Sequence, residues 1–248
     1  MGSDSRDTKD RDMKIGILAT GITPDALLGE FPSYAGMFIE QLGELEKDAH
    51  FVTYDVRFDE FPLDVKECDA WLITGSKSDA YGDEAWILRL CDLIRDIDQL
   101  RRPLVGICFG HQVIARALGG RVDKFQGGWG VGIHDYAVCE SVPVLPETNR
   151  LALCAFHQDQ VVEKPQRART FLRSDFCQYA GLLYDDHILT VQGHPEFSIT
   201  YERALIDFYE GAVLTKEQAM AARASLVNGS IDALPLMTWV GQFLKRRS

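Results

Sequence analysis

Three residues far apart in the 248-residue chain have the types and settings to do chemistry together: Cys108, His194 and Glu196. Cys108 lies in Gly106-Ile107-Cys108-Phe109-Gly110, between an apolar run and a segment with helical spacing. A nucleophile on a sharp strand-to-helix turn needs small neighbours, because its backbone is strained and a Cβ would collide. The sulfur would then project from the carboxyl edge of a sheet, near the positive end of the next helix, which favours the thiolate. A cysteine nucleophile also needs a base to take its proton and a group to orient that base. Gly193-His194-Pro195-Glu196 offers both, with His194 and Glu196 on the same side of an extended chain and Pro195 fixing the backbone between them. A carboxylate beside an imidazole holds its tautomer and stabilises the imidazolium. The competing readings are a buried structural cysteine beside incidental glycines and a loop histidine with a solvated glutamate. The presence of both motifs in one chain favours the chemical reading.

The elements that must position these residues follow from periodicity. Leu104 to Ile107 has the continuous apolar character of a strand buried between two layers, and Pro103 separates it from what precedes. From Gln112 the pattern is helical, with Val113, Ile114, Ala117 and Leu118 on one face, and Gly119-Gly120 ends it. Upstream, strands are expected at 14–19, 51–56 and 70–74, with helices over 33–46 and around Trp86 to Ile97. This β-α-β-α order argues a parallel sheet covered on both faces. After Gly120, short strands are expected at 121–125, 132–139, 151–156, 170–173, 181–184 and 188–191, read as antiparallel additions with Asp185-Asp186 as one turn. The tail is helical: 198–213, a helix opened by the Thr215/Gln218 capping pattern and closed by Asn228-Gly229, and a last one carrying Leu236, Trp239, Val240, Phe243 and Leu244. Lys245, Arg246 and Arg247 sit at its negative end.

Composition bounds the function classes. The chain is 46% hydrophobic and 25% charged, as a globular protein with a sizeable core would be. A net charge of −11 without a Lys/Arg cluster argues against nucleic acid as a partner. No apolar run reaches membrane-spanning length. Six cysteines without a Cys-x-x-Cys pair argue for reduced thiols in a cytoplasmic protein, and against a disulfide framework or a zinc site. Residues 1–12 contain no apolar core, so they are read as a disordered extension or a cloning remnant, with Met13 as the original start.

Gly106-Ile-Cys-Phe-Gly-His-Gln112, followed by Gly193-His-Pro-Glu-Phe197, resembles the class I (triad) glutamine amidotransferases. The resemblance extends over 13–210, with 211–248 a helical C-terminal extension. It implies a flavodoxin-like sheet and hydrolysis of the glutamine side-chain amide through a γ-glutamyl thioester, with no cofactor. Cys108 would be the nucleophile, His194 the general base and then acid, and Glu196 the orienter. The tetrahedral oxyanion wants two preorganised N–H donors. Phe109, next after the nucleophile, is one candidate, and Gly75 in the Ile73-Thr74-Gly75-Ser76 turn is the other. That turn departs from the family's usual Gly-Gly-Pro or Gly-Pro-Gly loop, since Lys77 and Ser78 follow. Gln112, one helical turn past Cys108, would contact substrate through its amide, and His157, Gln158 and Asp159 would line the pocket, chiefly through backbone groups. Trp129, between Gly128 and Gly130, either closes the pocket or packs. His111 is expected to support the turn, and His50, His134 and His187 need no function. In a neighbouring branch of peptidase-like proteins a histidine follows the cysteine directly; Phe109 holds that place here, which favours the amidotransferase arrangement.

Three functions follow from the resemblance. The first is a free-standing amidotransferase, similar to the glutaminase part of GMP synthetase, releasing ammonia from glutamine alone or for an unidentified synthetase partner. The second, an alternative to it, is a γ-glutamyl peptide hydrolase using the same triad, kept open by the segment Gly29 to Phe38, which resembles such free-standing relatives. The third is a non-catalytic binding module. Glutamine or a γ-glutamyl compound is the expected ligand in the first two.

Overall fold

The computed structural model describes residues 13–140, 148–227 and 229–246. The extension read at 1–12, Asn228 and Arg247 lie outside the described residues.

The amino-terminal part alternates strand and helix: β1 (Met13–Ala19), α1 (Tyr34–Leu45), β2 (Ala49–Asp55), β3 (Ala70–Ile73), α2 (Ala85–Gln99), β4 (Leu104–Ile107) and α3 (Phe109–Ala117). Strands then dominate: β5 (Arg121–Lys124), β6 (Gly130–Val138), β7 (Arg150–His157), β8 (Asp159–Glu163), β9 (Ala168–Arg173), β10 (Gly181–Tyr184) and β11 (Ile188–Val191). Three helices close the described chain: α4 (Ile199–Tyr209), α5 (Lys216–Val227) and α6 (Ala233–Leu244). Within the described residues, nine strands form one sheet in the order β2-β1-β3-β4-β11-β10-β9-β6-β7, and β5 pairs with β8 in a small second sheet. The run β2-β1-β3-β4-β11 is parallel, and β10, β9, β6 and β7 extend it antiparallel. This is the flavodoxin-like α/β fold.

Alternation along the strands separates two apolar layers. Ile15, Ile17, Leu72, Val105, Ile107, Leu189 and Val191 share one core with α1 and α6. Leu18, Trp71, Ile73, Leu104, Leu182 and Ile188 share the other with α2 and α3. Ser33 caps α1 by accepting the Gly36 N–H at 3.1 Å, and the expected Thr215/Gln218 box forms at the start of α5. His187, expected to need no function, binds Asp98 of α2 at 2.8 Å and ties the β10–β11 turn to that helix.

Besides shifts of one or two residues at several strand ends, three departures from the periodicity bear on the fold. α3 starts at Phe109 instead of Gln112, because Cys108 is itself the residue at which strand becomes helix. α4 ends at Tyr209, short of Val213: Gly211 has φ +80° and its N–H bonds Leu214 O at 2.8 Å, turning the chain back. β8 has no counterpart among the expected strands, since its Asp-Gln-Val-Val-Glu sequence alternates weakly and only pairing with β5 makes it a strand.

The last helix is part of the core. Leu236, Trp239, Val240, Phe243 and Leu244 are buried against the sheet, Trp239 packs edge-on to Phe171 at 5.2 Å, and Lys245 pairs with Glu46 beyond α1. No helix among the described residues is long and apolar enough to cross a membrane. Trp239→Ala is expected to lower unfolding free energy by about 3–5 kcal/mol, the cost of emptying a large buried site. Denaturant titration checks this, and a loss below about 1 kcal/mol would mean that α6 is not part of the cooperative unit.

Candidate active site

β4 delivers Cys108 to the carboxyl edge of the sheet with φ +52° and ψ −102°, a conformation that costs a non-glycine residue about 1–3 kcal/mol. Three bonds hold it there. The Cys108 N–H donates to Val191 O at 2.9 Å, Gly110 N–H to Thr74 O at 3.2 Å, and Gln112 N–H to Cys108 O at 3.1 Å. The two flanking glycines are required by close approach. A Cβ at Gly106 would lie 2.5 Å from Ile114 Cδ1, and one at Gly110 would lie 2.4 Å from Ile73 O. α3 therefore sits directly on β3 and β4, and the turn cannot relax.

β11 runs parallel to β4, with Val191 beside Ile107, so the residues after Val191 emerge next to Cys108. His194 is fixed by its N–H, which donates to Cys154 O on β7 at 2.8 Å. Its Nδ1 meets Glu196 Oε1 at 2.7 Å, which leaves Nε2 for the Cys108 thiol, its other side-chain hydrogen-bond partner. Phe197 stacks on the imidazole at 3.9 Å with an interplanar angle of 6°, fixing the ring plane. Burial by itself would push the imidazole's pKa down. The Glu196 carboxylate and the thiol outweigh it and hold His194 well above the ordinary histidine range. The pair is buried, and Gln41 steadies it by donating to Glu196 O at 2.8 Å. The structure thus brings Cys108, His194 and Glu196 together, and the thiol, base and orienting acid can act as one nucleophilic unit.

Gly75 lies two residues past β3, level with Cys108. A Cβ built on it would come within 3.7 Å of Cys108 Cβ and 3.1 Å of His194 Cε1, so the backbone abuts both side chains. The Thr74 carbonyl accepts from Gly110 N–H and lies 2.8 Å from the Thr20 hydroxyl; in a trans peptide this turns the Gly75 N–H the other way. Among the described residues neither the Gly75 nor the Phe109 N–H has an acceptor. Two unpaired donors beside the sulfur can receive an oxyanion.

A cavity of about 350 Å³ opens onto Cys108 and His194. Gln112, His157, Gln158 and Asp159 all line it. Their polar atoms are partly committed, however. Gln112 Nε2 donates to Asp159 O at 2.8 Å and to Gln192 Oε1 at 3.1 Å, so its amide offers a ligand only its oxygen. The Asp159 carbonyl also takes the His157 Nδ1–H at 3.1 Å, and the Gln158 carbonyl takes the Phe125 N–H at 3.1 Å. Burial lowers His157 to about 3, so it is neutral. Burial and the neighbouring Asp79 carboxylate push Asp159 up to about 6. Trp129 does both things expected of it, packing edge-on to Phe156 at 5.6 Å and facing the cavity. His111 binds the Thr190 hydroxyl at 2.8 Å under the turn and is held neutral by burial, at about 3.

Residues that the motifs do not reveal complete the site. Ser76, Lys77, Ser78 and Asp79 form one wall, and Tyr34, Phe156 and Tyr209 much of another. Gln192 is fully buried with Nε2 3.7 Å from Cys108 Sγ; a glutamine ending an apolar strand is the signal for it. Glu202 of α4 is also fully buried, accepts the Gly132 N–H at 2.9 Å, and is pushed up to about 8 by burial. An acid on the apolar face of Tyr201, Leu205 and Ile206 could have marked it. Among the described residues no group of three or more His, Cys, Asp or Glu is placed to hold a metal ion.

Comparison with known proteins places the chain in a family. Residues 28–210 match the family model described as glutamine amidotransferase class-I. The chain is 31% identical over 229 residues to gamma-glutamyl peptidase 5 of Arabidopsis thaliana, covering 88% of this chain and 90% of that protein. It is 33% identical over 150 residues to a glutamine-hydrolyzing GMP synthase subunit of Methanosarcina acetivorans, covering 58% of this chain and 74% of that protein. A solved glutamine amidotransferase from Thermotoga maritima shares the fold, with TM-score 0.74 at 18% identity over 95% of this chain and 99% of that one.

Glu202 yields a pH prediction. Between about 4.5 and about 8 the folded chain keeps a proton on Glu202 that the unfolded chain has released, so this group's stabilisation falls as pH rises through that window. Glu202→Gln is expected to flatten the decline in unfolding free energy between pH 5 and pH 8. Parallel denaturant titrations of the two proteins read the difference, and identical slopes would exclude a protonated Glu202.

Proposed function

The chain belongs to the class I glutamine amidotransferase family, and from that premise we propose that it hydrolyses γ-glutamyl amide bonds through a thioester on Cys108, with γ-glutamyl peptides preferred to free glutamine. The thiol proton passes to His194 Nε2, and the thiolate attacks the γ-carbonyl carbon. The Phe109 and Gly75 N–H groups receive the oxyanion, worth about 3–4 kcal/mol per donor in comparable sites. His194, held by Glu196, returns the proton to the leaving amine. It then takes one from water, which attacks the thioester and releases the γ-glutamyl group with a free carboxylate. Lys77, Lys124, Asp79 and Asp159 share the cavity and supply both signs of charge for the α-carboxylate and α-ammonium of the γ-glutamyl end.

The observation that carries the peptide reading is the extent and lining of the cavity. Besides Cys108 and His194, it is lined by the apolar side chains of Trp129, Phe156, Leu205, Tyr209 and Val213. Ammonia, the leaving group of glutamine, needs no such surface; an amine with an apolar body does. The similarity to a γ-glutamyl peptidase over nine-tenths of that protein supports the same reading. Glutamine hydrolysis for an ammonia-consuming synthetase partner is the second reading, supported by the likeness to the GMP synthase subunit. All six cysteines are free, which suits a reducing cytoplasm.

Purified protein is expected to release amine from γ-glutamyl dipeptides of apolar amino acids with kcat/KM at least about ten-fold above that for ammonia from glutamine. A ten-fold preference for glutamine would favour the second reading, and the Cys108→Ala protein should turn over neither while keeping its unfolding midpoint. His194→Ala should lower kcat about 10- to 100-fold more than Glu196→Gln, since the latter removes orientation and charge but leaves the base. Equal losses would mean that Glu196 does more than orient.

A further inference from the structure

We propose that Gln192 is a catalytic residue that donates an N–H hydrogen bond to the Cys108 thiolate, and that Gln112 positions it. The proposal rests on the reading of Cys108 as the nucleophile and adds a group on the side of the sulfur that His194 does not occupy.

Gln192 is fully buried at the end of β11, and its backbone N–H is anchored on Ala180 O at 2.8 Å. Its Nε2 lies 3.7 Å from Cys108 Sγ, within reach for a hydrogen bond to sulfur. The orientation of its amide follows from a chain of contacts that begins at an atom with one possible role. The Asp159 carbonyl can only accept, so Gln112 must turn its NH₂ toward it, at 2.8 Å. The second hydrogen of that NH₂ points to Gln192, at 3.1 Å, and so must meet the Gln192 oxygen. Gln192 is then left with its NH₂ facing the sulfur. The polarity of a backbone carbonyl on the cavity wall is thus passed through two side-chain amides to the nucleophile.

Physically, proton transfer from Cys108 to His194 leaves a negative charge on a buried sulfur; Cys108 is 5% exposed. His194 faces that sulfur from the chain after β11 and carries the proton, with Glu196 behind it. Tyr34 of α1, Tyr136 of β6 and Cys177 before β10 also lie within electrostatic reach of the sulfur, and Lys77, Asp79, Lys124 and Asp159 line the same cavity with both signs of charge. The two tyrosines and Cys177 are kept neutral by burial, so they do not compensate the charge. The Gln192 N–H is the added dipole that does, and a hydrogen bond to a charged group is worth about ten-fold or more in an equilibrium. Once the thioester forms, the sulfur is neutral and the bond weakens, so the donor favours the state that attacks.

The test reads the sulfur without any substrate, so absence of turnover on glutamine or γ-glutamyl peptides would overturn the proposed function and leave this experiment intact. Iodoacetamide alkylation of Cys108, followed by peptide mass spectrometry to separate it from exposed Cys139, is measured at pH 6 and pH 10. Gln192→Met keeps the shape and removes the donor. Gln192→Glu keeps the acceptor for Gln112 and replaces the donor with an oxygen. Both are expected to lower the pH 6 rate at least about ten-fold while the pH 10 rate stays within about two-fold. Gln112→Met should produce a smaller drop of the same kind, because it frees the Gln192 amide to turn. Unchanged pH 6 to pH 10 ratios in both Gln192 variants would overturn the proposal. Unfolding midpoints measured alongside identify a variant that has lost its fold, in which case the other Gln192 variant decides.

Discussion

The parallel pairing of β4 with β11 is the constraint on which the site depends. One bond, Cys108 N–H to Val191 O, extends that ladder past the end of β4 and joins the two chemical motifs. From Val191 the chain needs only one residue to reach Gln192 and three to reach His194, so a donor and a base arrive together beside the sulfur. β3 completes the arrangement from the other side, where Gly75 comes level with Cys108. The glycines at 106 and 110 let α3 press onto these strands closely enough to keep the cysteine in its strained backbone state. Loss of register in any of the three strands would separate groups that side-chain rotation could not bring back.

Electrostatics then decide which of the many titratable groups nearby carry charge. Burial lowers His111 and His157 to about 3 and raises Glu202 to about 8 and Cys177 to about 12, so all four are neutral near pH 7. His194 is equally buried and goes the opposite way, because Glu196 and the thiol stand against it. The burial of the site makes those two contacts, and the Gln192 amide, count for more than they would in water.

Most of the cavity wall is built by parts of the chain outside the two motifs. The turn after β3, the β7–β8 corner and α4 each supply one wall. Their commitments are internal as well as outward. The Asp159 carbonyl orders Gln112, and Phe156 supports both Trp129 and Tyr209. This coupling makes the ligand-facing surface and the nucleophile parts of one packed unit, so a change in the wall is felt at the sulfur.

Much of the fold and the heart of the site were legible in the sequence. The apolar runs at β1, β3, β4, β10 and β11 mark strands buried on both faces, and Gly-x-Cys-x-Gly and Gly-His-Pro-Glu specify a strained turn and an oriented base through local covalent geometry. These are properties of neighbouring residues, and a sequence records neighbours. What it does not record is which strand lies beside which, and therefore what faces a given side chain. β8 became a strand only through β5, and α6 proved to be core only by covering the sheet beside α1. Gln112 turned inward because a carbonyl 47 residues later claims its amide, and Gln192 gained its place at the sulfur from a helix and a corner distant in the chain. Hydrogen-bond direction and burial are set by groups meeting across the fold, so tertiary structure alone decided them.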